Sequence, residues 1–160
     1  LSTTHKTPKD LLAVNCIYRE LEEFKSTNTD ILAIKDILSQ LTKREIKTVV
    51  VLGNGSMAHI TKTLLEKFDL SYSELSRSNG KLSQLDDYIH TGLDNLLVIN
   101  CCAREYHYDG PTDFSYSFWD MNYALEHHQK YFDQTKVEYF DGIEQLELQA
   151  KYALKCWNLI

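Results

Sequence analysis

The stretch KTVVVLGNGSMA, residues 47–58, is the part of the chain most informative about its fold. Its first half is a continuous, largely β-branched run, which is typical of a parallel strand covered on both faces. Its second half, Gly53-Asn54-Gly55-Ser56-Met57-Ala58, fits the pattern G-x-G-x-x-A. The stretch therefore predicts a strand, a tight glycine turn and a helix, in that order.

The residue types of this turn suit a bound dinucleotide. Gly53 permits the tight turn, Gly55 lets the backbone approach a pyrophosphate, and Ala58 lets the helix lie close to the strand. The pyrophosphate would rest on the free N–H groups of that helix. An ordinary strand-to-helix turn also uses glycine, but the position between a strand and a helix favours a cofactor site, so all six residues, 53–58, are candidates for cofactor binding.

The rest of the chain alternates in the same way. Apolar spacing predicts strands at 47–52, 71–75, 96–99, 118–119 and 137–140, and helices at 30–43, 57–68, 81–89, 125–132 and 143–157. Asn28 or Thr29 is the expected N-cap of the first helix. This order predicts an α/β fold: a Rossmann-type, doubly wound, mostly parallel sheet with helices on both faces.

The segment after the second strand bears on which dinucleotide binds. NAD enzymes carry an acidic residue there for the ribose hydroxyls. This chain has Ser76-Arg77-Ser78, followed by Lys81, and an arginine with flanking hydroxyls binds a 2′-phosphate by charge-assisted hydrogen bonds. NADP (NADPH) is therefore the predicted cofactor. If Glu74 ended the strand, NAD would fit better, and Arg77 and Lys81 can also be read as solvated surface charges.

Composition narrows the class of partner. The chain has 160 residues, the length of one domain, and a net charge of −6, which disfavours nucleic acid and anionic membranes. No apolar run approaches the roughly 20 residues of a membrane span. The four cysteines show no CxxC spacing and the first ten residues are polar, so a reduced, cytoplasmic protein is expected. The adjacent His127 and His128 are interpreted as surface residues, and no metal site is predicted.

Several segments together resemble the shikimate dehydrogenase family. In order they are residues 13–17 (similar to A-V-N-T-[IL]), 28–30 (N-T-D), 76–78 (N-R-T), 119–123 (D-x-x-Y) and 141–150 (D-G-L-x-M-L-x-x-Q-A). Asn100 and Cys101 would open the family's N-A-T loop. The ordered set spans almost the whole chain and is similar to the C-terminal two-thirds of that family.

The resemblance implies reversible, NADPH-dependent reduction of 3-dehydroshikimate to shikimate in aromatic amino-acid biosynthesis. By position, Asp30 would be half of a Lys/Asp acid–base pair and would bind substrate with Asn15, Tyr123 and Gln149. Asn100, Cys101 and Gly142 would contact the cofactor. From the residues alone, Asp30 can also be an acid favoured at a helix N-terminus, Asn15 a turn residue, Tyr123 a core aromatic and Gln149 an exposed polar residue.

The resemblance also implies a division of the chain. Residues 1–30 would be a remnant of a substrate domain and its linker, residues 31–142 the NADP-binding Rossmann domain, and residues 143–160 a helix packing towards the substrate domain. The family's catalytic lysine lies well upstream of A-V-N, and Lys6 and Lys9 are too close to Asn15 to replace it. We therefore expect the chain alone to be inactive, with a missing N-terminal domain.

The last helix has an apolar side, formed by Leu146, Ala150, Ala153 and Leu154. Left uncovered, such a side favours self-association, so a homodimer is the alternative to the missing domain. Departures from the family pattern include Cys16 for threonine and Gln145 for methionine. Quinate or another hydroxylated ring acid is therefore an alternative substrate, and a non-catalytic nucleotide-binding module is the alternative function.

Overall fold

The computed structural model describes residues 13–44, 46–90 and 95–160. Residues 1–12, with Lys6 and Lys9 and much of the predicted first domain segment, lie outside the described residues. The strands are β1 (Cys16–Glu20), β2 (Glu23–Thr27), β3 (Thr48–Leu52), β4 (Tyr72–Leu75), β5 (Leu96–Asn100), β6 (Ser117–Asp120) and β7 (Glu138–Phe140). The α-helices are α1 (Thr29–Leu41), α2 (Ser56–Lys67), α3 (Leu85–His90), α4 (Glu126–Phe132) and α5 (Ile143–Cys156).

Five strands form one parallel sheet in the order β4-β3-β5-β6-β7. The apolar run of β3 lies in it with Val50 opposite Ser73 of β4 and Val98 of β5. Chain order reverses between β3 and β5, since β4 lies on one side of β3 and all later strands on the other. The predicted doubly wound α/β fold is confirmed.

Side chains of successive strand residues serve two separate cores, because neighbouring residues point to opposite faces. On one face α1, α2 and α5 cover a core that includes Ile34, Leu38, Val49, Val51, Leu65, Ile99 and Trp119. On the other face α3 and α4 cover a core that includes Val50, Leu52, Leu85, Ile89, Val98, Phe118 and Phe132. Burial on both faces explains why β3 is apolar after Thr48 and β5 is apolar up to Asn100.

The sequence did not predict the hairpin formed by β1 and β2. The two strands pair antiparallel, from Cys16 with Thr27 to Glu20 with Glu23, as a sheet of their own. Half of their residues are exposed and only two are buried, so the segment carries no strong apolar alternation. The hairpin contacts the end of α5, where Trp157 Nε1 donates to the Ile17 carbonyl at 3.1 Å.

The structure decides between the two expected N-caps of the first helix and corrects the extent of another helix. Asn28, one of the two expected residues, is the N-cap of α1, since its Oδ1 accepts from the Ile31 N–H at 3.1 Å. The single helix expected at 81–89 is a 3₁₀ turn at Leu82–Gln84 followed by α3. Other predicted boundaries differ by one or two residues.

Helix α5 packs on α1 with one side and leaves the other exposed. Tyr152 of α5 donates to the Asp36 carboxylate of α1. On the opposite side, Leu146 and Leu154 are 42% and 36% exposed, as expected for an apolar side with nothing packed against it. No helix within the described ranges is long and apolar enough to cross a membrane.

Candidate functional site

The glycine turn after β3 connects the ends of three strands. Gly53 donates its N–H to the Leu75 carbonyl of β4 at 2.8 Å, and Cys101 donates to the Leu52 carbonyl at 2.9 Å. Gly53 has φ +98°, and a Cβ placed on it would lie 3.1 Å from the Cys101 carbonyl oxygen. Both the backbone angle and the lack of space therefore require glycine at this position.

The N-terminus of α2 is open to an anion. Its N-cap, Gly55, contributes no side-chain hydrogen bond, and the first turn carries no acidic residue. A Cβ on Gly55 would meet nothing within 4 Å, so the space in front of the helix is free. The unpaired N–H groups and the positive end of the helix dipole face that space, which is the arrangement that binds phosphate groups.

A cleft of about 460 Å³ lies in front of this turn, at the point where the strand order reverses. In open α/β sheets, ligands bind outside the carboxyl ends of the strands at such a point. We call it the switch-point cleft. It is lined by Gly53, Asn54, Gly55, Ser56, Met57, Ser76, Arg77, Leu82, Cys101, Cys102, Ala103 and Tyr106.

The loop after β4 brings Arg77 to the cleft. Asn79 shapes the loop, because its Oδ1 accepts from the N–H groups of Ser76 and Lys81, both at 3.0 Å. Ser78 joins the loop to the glycine turn, since its Oγ accepts from Asn54 Nδ2 at 2.7 Å. Arg77 is exposed, and within the described part of the chain no carboxylate pairs with it. Lys81, also predicted to bind the cofactor, is exposed and does not line the cleft.

Glu74 does not occupy the position of a ribose-binding acid. Strand β4 ends at Leu75, one residue beyond Glu74. The Glu74 carboxylate forms an ion pair with Lys62 of α2 and is not part of the cleft lining. The alternative in which Glu74 ends the strand is therefore wrong.

A buried polar network supports the cleft from behind. Asn100 is fully buried, donates to Asp120 Oδ1 at 3.0 Å and accepts from the Cys102 N–H at 3.1 Å. Asp120 Oδ2 lies 2.5 Å from His128 Nδ1, and the Tyr108 N–H donates to His128 Nε2 at 2.8 Å. A backbone N–H can only donate, so Nε2 carries no proton and Nδ1–H donates to Asp120.

Two predictions change as a result. His128 was expected on the surface, but it is fully buried in this network. Adjacent helix residues face different sides of the helix. His128 can therefore point inward while its neighbour His127 is exposed. Asn100 lies beneath the cleft and holds its floor rather than lining it.

The two adjacent cysteines of the cleft are free thiols whose ionisation is disfavoured by burial. Burial raises the pKa of Cys101 to about 12 and that of Cys102 to about 11. Because the thiolate is the nucleophile, neither is suited to covalent chemistry near neutral pH. Both therefore serve as wall residues of the cleft.

Two further cofactor candidates lie outside the cleft for structural reasons. Ala58 is fully buried in α2, where its small side chain allows close packing on the core of β3. Gly142 is the N-cap of α5 and is packed against the Met121 carbonyl, which leaves no room for a Cβ. Helix packing thus explains alanine at position 58 and glycine at position 142.

A second polar group lies where α1 begins and α5 passes. Asn15 donates from Nδ2 to Asp30 Oδ2 at 2.9 Å, and its Oδ1 accepts from the Thr29 N–H at 2.8 Å. Burial raises the pKa of the Asp30 carboxyl above its ordinary value, and hydrogen bonds from Asn15 and Gln145 partly oppose that rise. We call Asn15, Asp30 and Gln145 the Asp30 cluster.

The structure does not bring the other two predicted substrate residues into this cluster. Tyr123 is half exposed, with the Arg104 guanidinium 5.7 Å from its ring centre. Gln149 is half buried, and no contact in the described residues joins it to Asp30. The glutamine that reaches Asp30 is Gln145, one turn earlier in α5.

Sequence reasoning missed four residues of the cleft wall: Leu82, Cys102, Ala103 and Tyr106. Cys102 and Ala103 directly follow Cys101 at the end of β5, so the strand end was a usable signal for them. Leu82 lies in the 3₁₀ turn at the start of the predicted helix 81–89, and Tyr106 lies in the loop after β5. The sequence pattern does not indicate that either side chain faces the cleft. Gln145 was visible only as a polar residue at the start of an amphipathic helix.

Comparison with known proteins supports the fold. No protein-family profile and no curated protein sequence matches the chain. Solved structures do match. A chorismate mutase/shikimate 5-dehydrogenase fusion protein from Clostridium acetobutylicum shares 20% identity at a TM-score of 0.66, covering 99% of this chain and 66% of that one.

Two further structures were solved with bound nucleotide. A quinate dehydrogenase from Corynebacterium glutamicum, in complex with NAD, has 16% identity, a TM-score of 0.66, and coverage of 92% of this chain and 63% of that one. A shikimate 5-dehydrogenase from Thermus thermophilus, in complex with NADP(H) and shikimate, has 17% identity, a TM-score of 0.62, and coverage of 92% and 63%.

This chain thus spans just under two thirds of the length of the structures it resembles. At these identities the likeness establishes the fold, and it agrees with the family resemblance found in the sequence.

Proposed function

We propose that this chain is the nucleotide-binding part of a shikimate dehydrogenase-like oxidoreductase and that it binds NADP (NADPH) in the switch-point cleft. The observation that carries the proposal is the open N-terminus of α2, reached through Gly53 at φ +98°. Gly55 leaves room for a pyrophosphate on the free N–H groups of that helix. The residues present fit a dinucleotide.

The preference for NADP rests on charge. Arg77 lines the cleft, and Ser76 and Ser78 place two hydroxyls beside it. The nearest strand carboxylate, Glu74, is paired with Lys62 and so does not repel a 2′-phosphate. Structures of similar fold include complexes with NAD and with NADP(H), so the loop rather than the fold must set this preference.

For the chemistry, we propose hydride transfer between NADPH and 3-dehydroshikimate, with shikimate as the product. The bound dinucleotide would supply the hydride. A ketone that accepts hydride becomes an alkoxide and needs a proton donor. Asp30, whose pKa is raised by burial, is suited to hold a proton, and Asn15 orients its carboxylate. The expected lysine partner would come from a substrate domain.

The test is calorimetric titration with NADPH and NADH in parallel, on the wild-type chain and on Arg77→Ala. One charge-assisted hydrogen bond to phosphate contributes about 1.5–3 kcal/mol, so the variant should bind NADPH about 10- to 150-fold more weakly. Its affinity for NADH should be unchanged. Lys81→Ala removes the same charge from the same loop and should change either affinity less than about threefold.

Two results would contradict the proposal. Absence of binding of both dinucleotides by folded protein would remove the cofactor site. Equal affinity for NADPH and NADH in the wild type would remove the NADP preference. If NADPH binds but a complete polypeptide with the substrate domain does not oxidise shikimate, a non-catalytic nucleotide-binding module becomes the better reading.

A further inference from the structure

One buried histidine connects the loop between β5 and β6, residues 101–116, to helix α4. The Tyr108 N–H in this loop donates to His128 Nε2 at 2.8 Å, and His128 Nδ1 lies 2.5 Å from Asp120 Oδ2. Both His128 and Asp120 are fully buried. Because the ring nitrogen is the acceptor of a backbone N–H, this hydrogen bond exists only while Nε2 carries no proton.

The same loop forms one wall of the switch-point cleft. Cys102, Ala103 and Tyr106 line the cleft, and Tyr106 lies two residues before Tyr108. The Tyr106 N–H donates to the Ala103 carbonyl at 2.9 Å, so residues 103–106 form a turn. The hydrogen bond between Tyr108 and His128 therefore holds the end of this turn, and with it the position of Tyr106 in the cleft.

A proton on Nε2 would break this connection. It would place two donors, Nε2–H and the Tyr108 N–H, where a donor and an acceptor now lie 2.8 Å apart. The Tyr108 N–H would then be buried without an acceptor, which is unfavourable, so the backbone must move to find another partner. The Asp120 carboxylate would remain on Nδ1 and form an ion pair with the charged ring.

The groups around His128 add charge in the same direction. His107 of the loop and His127 of α4 stand edge-on to the His128 ring, with ring centres 6.5 and 5.7 Å away. The His107 and His127 rings stack at 4.1 Å. Partial desolvation and the other two histidines lower the pKa of His127. Tyr139 of β7 reaches Asp120 Oδ2 at 3.5 Å, and the other rings packed against His128 are apolar. Acid thus places like charges on the loop and on α4, which separates them.

We propose that His128 is a pH-sensitive switch for the cofactor cleft: protonation of Nε2 releases the Tyr108 N–H, frees the wall at residues 103–106 and weakens binding of the dinucleotide. The inference rests on the proposed function, whose site it regulates. The conformation that binds nucleotide is the one with the neutral ring, so affinity is full in mild alkali. It falls as pH falls through the range in which histidine gains a proton.

The first test is calorimetric titration of the full chain with NADP⁺ at about pH 8 and about pH 6, on the wild type and on His128→Gln. A glutamine carbonyl can accept from the Tyr108 N–H and cannot gain a proton. The 2′-phosphate of NADP⁺ itself titrates near pH 6, so acid weakens binding to both proteins, and the comparison removes that effect. The wild type should lose about fivefold more affinity than His128→Gln.

His127→Gln is the matched control. It removes a titrating histidine from the adjacent, exposed position, which accepts no hydrogen bond from the loop backbone within the described residues. Its loss of affinity in acid should therefore agree with that of the wild type to within about twofold.

NMR of the ligand-free wild type provides a second readout that needs no variant. The ring nitrogens of His128 and the backbone amide of Tyr108 are followed from about pH 8 to about pH 6. Both should change with one common midpoint, and the Tyr108 amide should exchange with solvent faster in acid.

The remaining outcomes separate this inference from the proposed function. An equal loss of affinity in the wild type and His128→Gln, or its disappearance in His127→Gln, would overturn the role of His128. A Tyr108 amide that stays unchanged through the titration would do the same. Failure of the wild type to bind NADP⁺ at the higher pH would instead count against the proposed function, and the NMR titration would still decide whether His128 controls the loop.

Discussion

The switch-point cleft and the Asp30 cluster differ in how many of their polar atoms are already hydrogen-bonded within the protein. Behind the cleft, Asn100, Asp120 and His128 use their hydrogen-bonding atoms on one another and on the backbone. In the Asp30 cluster, a half-buried carboxyl and a buried amide carbonyl keep unused acceptors. The polar groups of the first region are satisfied within the protein, whereas the second region retains acceptors available to a ligand.

This difference suits the two ligands proposed. A pyrophosphate is bound by backbone N–H groups that need fixed positions, and a fixed backbone needs a saturated network beneath it. A hydroxylated substrate is recognised by unpaired side-chain acceptors, which favour ligands that can satisfy them. The distinction predicts large stability losses on substitution behind the cleft and small, pH-dependent changes in stability on substitution at the Asp30 cluster.

The largest effect is expected from His128→Ala. It removes the Nδ1 donor to the buried Asp120 carboxylate and leaves the Tyr108 N–H without its acceptor. Breaking a buried pair by removing one member costs about 3–5 kcal/mol, which we expect as the loss in free energy of unfolding in urea. His127→Ala, on the exposed neighbour, should change it by less than about 0.5 kcal/mol. Similar losses in both variants would show that the network does not stiffen this region.

A matched pair of glycine substitutions separates fold from binding within the cleft. Gly53→Ala places a Cβ 3.1 Å from the Cys101 carbonyl at φ +98°, so we expect a loss of about 1–3 kcal/mol in stability together with loss of NADPH binding. Gly55→Ala meets no atom within 4 Å and should cost at most about 1 kcal/mol as a poorer N-cap.

The affinity of Gly55→Ala for NADPH tests whether the nucleotide binds at the N-terminus of α2. Its methyl group would occupy the space where a pyrophosphate meets the helix, so NADPH affinity should fall tenfold or more in calorimetry, in a protein of nearly wild-type stability. Full NADPH affinity in Gly55→Ala would place the nucleotide elsewhere and remove the role of the α2 N-terminus.

The sequence was a good guide where local chemistry sets the structure. The β-branched run of β3 and the glycines after it are required by burial on both faces and by one backbone angle, and both are local properties. Arg77 was predictable because it lies two residues after the end of β4. The hairpin was not, since its exposed strands are held by pairing with each other and by Trp157, 140 residues away from Ile17.

The candidate site was less predictable, because partners distant in sequence define it. The sequence predicts His128 on the surface, and only its contacts with Asp120 and Tyr108 show that it is buried. Gln145 and Gln149 both lie on α5 one turn apart, and only the packing of α5 on α1 decides which of them reaches Asp30. The family resemblance implies Gln149 as a substrate residue, which stays a prediction, whereas Gln145 is the glutamine that contacts Asp30.

The smallest effect expected is the pH dependence set by Asp30. Because burial raises its pKa, the folded state binds the proton more tightly than the unfolded state does. Stability from this group should therefore fall as pH rises from the ordinary pKa of 3.8 through the raised value, and stay low above it. Asp30→Asn removes the ionisation, so its free energy of unfolding should exceed that of the wild type near neutral pH and converge with it in acid.

The same titration can be sharpened with Asn15→Ala. Loss of the Nδ2 donor at 2.9 Å should raise the pKa of Asp30 further, which is measurable from the carboxyl carbon shift by NMR. A wild type that gains stability over Asp30→Asn as pH rises would mean that Asp30 is stabilised as a carboxylate by the fold itself. The Asp30 cluster would then be saturated like the network behind the cleft, and the contrast between the two regions would disappear.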